Sequence, residues 1–306
     1  MRKEALETVF DLAKADSRVV FIGSDLGVGT LDEMKHKLPS QFFMEGISEQ
    51  HLIGFASGLA KEGYVPYLNT IANFFSRRAL EQLILDVALH NLPVKILASG
   101  GGMVYAPLGP THTATDDLAH LLAIPNFNVY SPCDAVEMEE QIRQDKDKTS
   151  PAYFRFGKGG EEVVSSTLKV SHDSSFKYLG HSTSRLAILT SGIALQNCLR
   201  AYQRIANSKD LELIHVTKVN FRKSEELLGH LTSKTHILVV EEHQEYGGVY
   251  TQLLHLLGTK KRLNCKLDSI NLGNSFLRRY GSQNDHLAAA QIVPDGILRR
   301  LEDLHG

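Results

Sequence analysis

Short apolar runs alternate with stretches of helical spacing along most of the chain, and this alternation limits the fold more than any other feature. Val19-Val20-Phe21-Ile22-Gly23 reads as a buried strand ending at a turn. After it come a helix of small residues from Leu52 to Glu62 closed by Gly63, a short strand Tyr64–Tyr67, and a helix from Ser76 to His90 with apolar positions at Leu80, Leu83, Ile84, Val87 and Ala88. Strands at Val94–Ala98, Asn128–Ser131 and Ala152–Phe156 alternate with helices at Asp117–Ala123 and Ala135–Gln144. Strand and helix in regular succession predict an α/β fold with a mostly parallel sheet flanked by helices.

From Gly157 to Ser184 the sequence turns rich in Gly, Ser, Lys and His and loses its periodicity, as an interdomain linker does. The expected division is a first domain over 1–160, a linker over 161–184 and a smaller α/β domain over 185–306. The second domain's elements read as strands Leu186–Thr190, Glu212–Val216 and Ile237–Glu241, and helices Ala194–Ala206, Gly248–Leu257 and Asp295–Leu304. Glu241-Glu242-His243 and Gly247-Gly248 fall between a strand and a helix, a place that suits dimer packing better than catalysis.

A formal net charge of -2 gives no reason to expect nucleic acid or an acidic membrane as partner. Cys133, Cys198 and Cys265 are far apart and form no C-x-x-C pair, so neither a metal site nor a disulfide framework is expected, and a cytoplasmic location fits. The first residues run straight into an amphipathic helix pattern, and no apolar run approaches the ~18 residues a bilayer crossing needs.

The chemistry concentrates in four motifs. Gly46-Ile47-Ser48-Glu49-Gln50-His51 puts an acid where loop becomes helix; Phe74-Phe75 and Arg77-Arg78 follow; then come Gly109-Pro110-Thr111-His112 and Pro151-Ala152-Tyr153-Phe154-Arg155-Phe156-Gly157-Lys158-Gly159. In this order they resemble the pyrimidine-binding domain of thiamine-diphosphate enzymes, above all transketolase and 1-deoxyxylulose-5-phosphate synthase. The resemblance spans nearly the whole chain and is specific in the first 160 residues.

The resemblance implies roles. Glu49 would hydrogen-bond the cofactor's aminopyrimidine and drive loss of the thiazolium proton, work best done by a partly desolvated carboxyl group. Phe75 would stack on that ring. Arg78 stands where the synthase has arginine. Asp25, in Ser24-Asp25-Leu26, matches a turn that approaches cofactor and partner. His112 would serve the substrate as hydrogen-bond donor or proton shuttle. Arg155, assisted by Lys158, would grip a substrate phosphate.

The departures are Ala72, where both families commonly carry an aromatic residue, and Gly100-Gly101, where transketolase carries a histidine–aspartate pair. The G-D-G motif that binds Mg²⁺ and the diphosphate in these families is absent. The resemblance therefore implies a β subunit completed by a second, G-D-G-bearing α chain, most simply as α2β2, moving a two-carbon ketol unit between sugars. The alternatives are the β subunit of a 2-oxo-acid dehydrogenase E1 component, which typically lacks P-T-H, a deoxyxylulose-phosphate synthase-like ligase, and a non-catalytic paralogue.

Overall fold

The computed structural model describes residues 1–25, 29–205, 210–221, 224–260 and 265–305. Six strands build the first sheet: β1 (Val19–Gly23), β2 (Phe42–Met44), β3 (Val65–Ile71), β4 (Lys95–Ser99), β5 (Asn128–Tyr130) and β6 (Ala152–Phe156). All pair in parallel, in the order β2-β1-β3-β4-β6-β5. Helices cover both faces, so β1, β4 and β6 are buried at every position. That double burial is why they read as unbroken apolar runs rather than alternating ones.

On one face Met1 and, from the Arg2–Ala15 helix, Ala5, Leu6 and Val9 pack with Met138 and Ile142 of the Ala135–Asp145 helix. On the other, Leu52, Ile53, Ala56 and Ala60 of the Glu49–Lys61 helix join Leu83 and Val87. Small residues at Ala56, Ser57 and Ala60 on the buried side suit this close packing. Gly63 ends the helix at φ +92°, a left-handed conformation costly for any residue with a Cβ.

The second sheet has β7 (Lys169–Val170), β8 (Phe176–Leu179), β9 (Leu186–Thr190), β10 (Leu211–Val216), β11 (His236–Val240) and β12 (Lys266–Ile270), in the order β12-β11-β9-β10-β8-β7. Strands β12, β11, β9 and β10 are parallel, while β8 and β7 run antiparallel at one edge. Two expectations are corrected here. The segment read as a linker supplies β7 and β8, so the second domain begins inside it. Lys169-Val170 and Phe176–Leu179 are too short to show a period. The helix expected over Ser76–His90 is instead a π-helical turn (Phe74–Arg78), one α turn (Leu80–Gln82) and a second π stretch (Leu83–Ala88). Each π turn inserts one residue into the ladder, a distortion frequent at functional sites. Among the described residues no helix is long and apolar enough to cross a membrane. The expected ends of Ser24–Leu26 and of the Ala194–Ala206 helix, at Leu26 and Ala206, lie outside the described residues.

Candidate active site

A parallel sheet delivers the loops after all its strands to one edge, and ligands of such folds bind beyond the carboxyl ends of the strands. The motifs converge there. Asp25 follows β1, Glu49 follows β2, Phe74 to Arg78 follow β3, Gly100 to His112 follow β4, and Lys158 follows β6.

Glu49 is the first residue of its helix and only 4% exposed. Among the described residues both of its oxygens face a single donor, Arg78 Nη1, at 3.3 and 3.2 Å. Arg78 is itself half exposed and lies over the Phe74 ring at 3.7 Å. His112 meets the same ring edge-on, 5.3 Å between centroids, and its Nδ1 is 2.8 Å from Thr111 Oγ1. Glu49, Arg78, Phe74 and His112 thus form one linked group, of which Phe74 is only partly buried.

The aromatic pair divides differently from expectation. Phe75 is wholly buried and packs with Ile22, Leu52 and Leu68 in the core, whereas Phe74 presents its ring beside Glu49 and His112. The π turn sets the two rings on different sides. Adjacency of two phenylalanines signals that one is core, but not which.

Arg77 locks the histidine loop to the π turn. Its guanidinium holds both carboxylate oxygens of Asp116 at 2.8–3.2 Å, and Asn73 Nδ2 donates to the Thr111 carbonyl. Ser24 Oγ lies 2.8 Å from both Asp25 Oδ1 and Thr70 Oγ1, leaving Asp25 exposed at the rim.

Arg155 is placed otherwise than expected. It is 4% exposed, and its donors go to Asp117 at 2.9–3.0 Å, to the Ala114 carbonyl at 3.1 Å and to the Glu242 carbonyl at 2.9 Å. It is a buried strut between the two domains, committed before any substrate arrives. Lys158, three residues on, is exposed.

The three glycines are spaces already filled by this chain. A Cβ on Gly100 would collide with the Tyr105 ring, one on Gly101 would stand 2.5 Å from Arg155 Cγ, and one on Gly102 2.6 Å from Glu242 Oε1. The space beside Gly100 and Gly101 is taken here by Tyr105 and Arg155, and that beside Gly102 by Glu242.

Glu242 and Glu241, in the segment read as suited to dimer packing, make contacts inside the chain. Glu242 Oε1 accepts from the Met103 amide at 2.6 Å, and both its oxygens accept from Gln283 Nε2 at 2.9 and 3.0 Å. Burial raises its pKa above the usual carboxylate range despite the nearby Arg155. Glu241 accepts from the Val249 and Tyr250 amides, and burial pushes it up to about 7. Burial likewise pulls His243 down to about 4. The sequence signals only that acids lie at a strand end. The partners of Glu242 and Arg155 come from distant parts of the chain, as Met103 and Glu242 do.

Two other features lie away from this edge. Among the described residues, Cys133, Glu137 and His215 are the group whose ligand atoms lie within 4.8 Å of one another. Lys177 Nζ stands 3.7 Å from Glu137 and His215 Nε2 2.8 Å from it, so the carboxylate is already served by two cationic or donor groups. A cavity of about 410 Å³ opens at the opposite end of the sheet, lined by Asp16, Arg18, Tyr64, Pro93 and Lys146 among others, and includes none of the motif residues.

A parallel sheet with a buried helix-start glutamate at its carboxyl edge and a second, mixed sheet define a two-sheet α/β chain. The family model for the transketolase pyrimidine-binding domain matches residues 1–177, and the chain belongs to that family. The chain is 31% identical over 263 residues to an apulose-4-phosphate transketolase subunit of Phocaeicola vulgatus, covering 81% of this chain and 80% of that one. It is 31% identical over 316 residues to the 1-deoxy-D-xylulose-5-phosphate synthase of Caldanaerobacter subterraneus subsp. tengcongensis, covering 98% of this chain and 49% of the synthase. The chain therefore spans about half the length of the synthases it matches. In fold it is similar to a split-gene transketolase solved as an inactive beta4 tetramer, with TM-score 0.84, 22% identity, and coverage of 99% and 97%. Against the transketolase of Campylobacter jejuni the TM-score is 0.80 at 16% identity, covering 99% of this chain and 46% of that one.

Proposed function

We propose that the chain is the pyrimidine-side β subunit of a split, thiamine-diphosphate-dependent enzyme of the transketolase type, moving a two-carbon ketol unit between sugars or sugar derivatives. The observation that carries this is Glu49: a buried carboxylate at a helix start, met among the described residues by one half-exposed guanidinium at 3.2–3.3 Å, which lies over the Phe74 ring, with the His112 imidazole edge-on to that ring. A structural carboxylate buried to this degree is normally saturated, as Asp117 is. Glu49 retains capacity to hydrogen-bond a ring nitrogen, which an aminopyrimidine offers and which donates to a carboxylate once the ring is protonated or in its imino form.

When bound, thiamine diphosphate supplies the carbon nucleophile and electron sink for breaking the bond beside a ketose carbonyl. Glu49 is assigned to hold the aminopyrimidine through a charge-assisted hydrogen bond. Arg78 lies across Phe74 and reaches Glu49, so binding exchanges this contact for the cofactor ring. Phe74 is the ring available for stacking; Phe75 supports it from the core. His112, tied by Asn73 and Arg77 to the same turn, is assigned to the substrate's hydroxyls. Lys158 replaces Arg155 as the cation for a substrate phosphate, with Asp25 at the cofactor-side rim. The diphosphate and Mg²⁺ fall to a partner: magnesium takes oxygen ligands and phosphate oxygens, and the Cys133–Glu137–His215 group is neither oxygen-only nor at this edge. An α subunit with a G-D-G motif, in an α2β2 assembly within the cytoplasm, completes the site.

Coverage favours the split arrangement. The chain and the apulose-4-phosphate transketolase subunit each match over about four fifths of their length, whereas the synthases extend to twice this chain. The similarity to those synthases keeps a synthase-like ligase as the second reading. The test is reconstitution with a G-D-G-bearing chain, Mg²⁺ and thiamine diphosphate, followed by a screen of ketose donors with aldose acceptors and, separately, of pyruvate. Ketol transfer supports the first reading and consumption of pyruvate the second. Cofactor-independent binding with no turnover on either would overturn both.

A further inference from the structure

Two adjacent arginines of the π turn, Arg77 and Arg78, are held in opposite ways. Arg77 grips Asp116 through both Nε and Nη2, which fixes the turn to the loop carrying His112. Arg78 has one nitrogen engaged. Its Nη1 reaches the two Glu49 oxygens at 3.3 and 3.2 Å, and among the described residues Glu49 is the one hydrogen-bond acceptor it uses. The rest of the guanidinium lies over the Phe74 ring, 3.7 Å from its centroid. The Arg78 side chain is 48% exposed and that of Glu49 5%. The acid is thus at the bottom of the contact, and the cation closes over it from the solvent side. Rotation about the side-chain bonds of Arg78 opens the contact while Arg77 keeps the turn in place.

A guanidinium and an aminopyrimidine share the features that this position reads. Each is a planar, delocalised group, each presents N–H donors in its plane to a carboxylate, and each lies against an aromatic face. Arg78 makes both kinds of contact at once, to the same Glu49 and Phe74 that are assigned to the cofactor ring. Exchange of one planar donor for the other leaves the buried Glu49 with a donor before and after. That avoids the cost of a buried charge without a partner.

We propose that the Arg78 guanidinium is an internal stand-in for the aminopyrimidine, masking Glu49 and Phe74 until the cofactor ring displaces it. This rests on the proposed function and adds a regulation of that same site. A masked site binds its ligand with an affinity lowered by the fraction of molecules in which the mask is open. The contacts that close it are modest in kind, an ion pair to a half-exposed side chain and a cation–π contact. A mask of that strength, closed in about ten molecules for each one open, lowers affinity about tenfold. It also selects: a flat ring with no in-plane donor covers Phe74 but leaves Glu49 without a partner, so it does not displace Arg78.

The experiment reads binding rather than turnover. With the chain assembled with its partner subunit and Mg²⁺, Arg78→Ala should bind thiamine diphosphate about tenfold more tightly than the wild type. Loss of a cation beside an anionic cofactor would by charge alone weaken binding, so the direction of the change is diagnostic. Arg78→Lys keeps the charge without the planar fork and should fall between the two. With the full chain alone, methylguanidinium at low millimolar concentration, followed by ligand-observed NMR, should bind Arg78→Ala and not the wild type, and Glu49→Gln in the Arg78→Ala background should abolish that binding. Unchanged or weakened cofactor binding in Arg78→Ala overturns the mask, and so does methylguanidinium that binds both chains alike or neither. Methylguanidinium binding confined to Arg78→Ala, in an assembly that takes no thiamine diphosphate with or without Arg78, upholds the planar-cation slot and counts against the proposed function instead.

Discussion

Glu49 and Asp117 are both buried carboxylates at helix starts, yet their surroundings differ in kind. Asp117 has no exposed surface and is saturated by Arg155 and by the Tyr153 hydroxyl at 2.9 Å. Around it Arg155, Glu242, Met103 and Gln283 tie the two domains together. Among the described residues Glu49 faces only Arg78, at longer distance and from the solvent side. The saturated seam is architecture, because an incomplete buried network costs more than it returns. The edge at Glu49 keeps hydrogen-bonding capacity that the described residues do not use.

The sharpest way to break this contrast is to neutralise the edge. Glu49→Gln keeps size and helix position and leaves Arg78 without its carboxylate. Turnover of the reconstituted enzyme should fall by about 10²–10⁴, the usual contribution of a positioned proton-handling group. The thermal midpoint should stay near that of the wild type. Unchanged turnover would remove Glu49 from the chemistry; a large drop in the midpoint would make it another structural acid.

The opposite result is expected from the seam. Arg155→Met removes one partner of a fully buried pair and leaves Asp117 uncompensated, at a cost of roughly 3–5 kcal/mol. Denaturant unfolding should show this loss. If instead stability holds and KM rises for anionic substrates alone, Arg155 reads the substrate after all. Lys158→Ala supplies the counterpart: no measurable change in stability, since Lys158 is exposed, and a rise in KM for phosphorylated substrates.

The aromatic pair repeats the contrast within two residues. Phe75→Ala empties a wholly buried site and should destabilise by about 3–5 kcal/mol. Phe74→Ala should leave folding near wild type and weaken cofactor binding by about 0.5–1.5 kcal/mol, the usual worth of an aromatic contact beyond its area. Equal destabilisation by both would show that the π turn does not separate the rings.

These pairs show what the sequence could and could not convey. Strands β1, β4 and β6 were legible because burial on both faces favours near-continuous apolar runs. The helix start at Glu49 was legible because a loop-to-helix acid is a local pattern. Three placements were not local and were missed. The π turn trades one register for another at no compositional cost. Arg155 looks like an anion ligand until Asp117 and the Glu242 carbonyl are known to be beside it. Strands β7 and β8 have the composition of a linker and are strands because the edge of β10 offers them partners.

The smallest expected effect tests whether the seam is as closed as it looks. Glu241 is buried and titrates near 7 in the folded chain, against 4.5 for an ordinary glutamate. Its causes are burial first, then the opposing Val249 and Tyr250 amides and Arg155. A raised carboxyl pKa means the folded chain binds the proton more tightly than the unfolded chain. The contribution of Glu241 is thus fully present below about 4.5 and lost as pH rises through about 7. Wild-type stability should carry a downward component between those values, and Glu241→Gln, which cannot ionise, should flatten it. Because Gly248 leaves no room for a Cβ beside the Glu241 carboxyl, the group has no space to relax toward water when it ionises. An unaltered pH profile in the variant would mean that water reaches Glu241, and that the seam opens at its C-terminal end far more readily than the bonds around Asp117 allow.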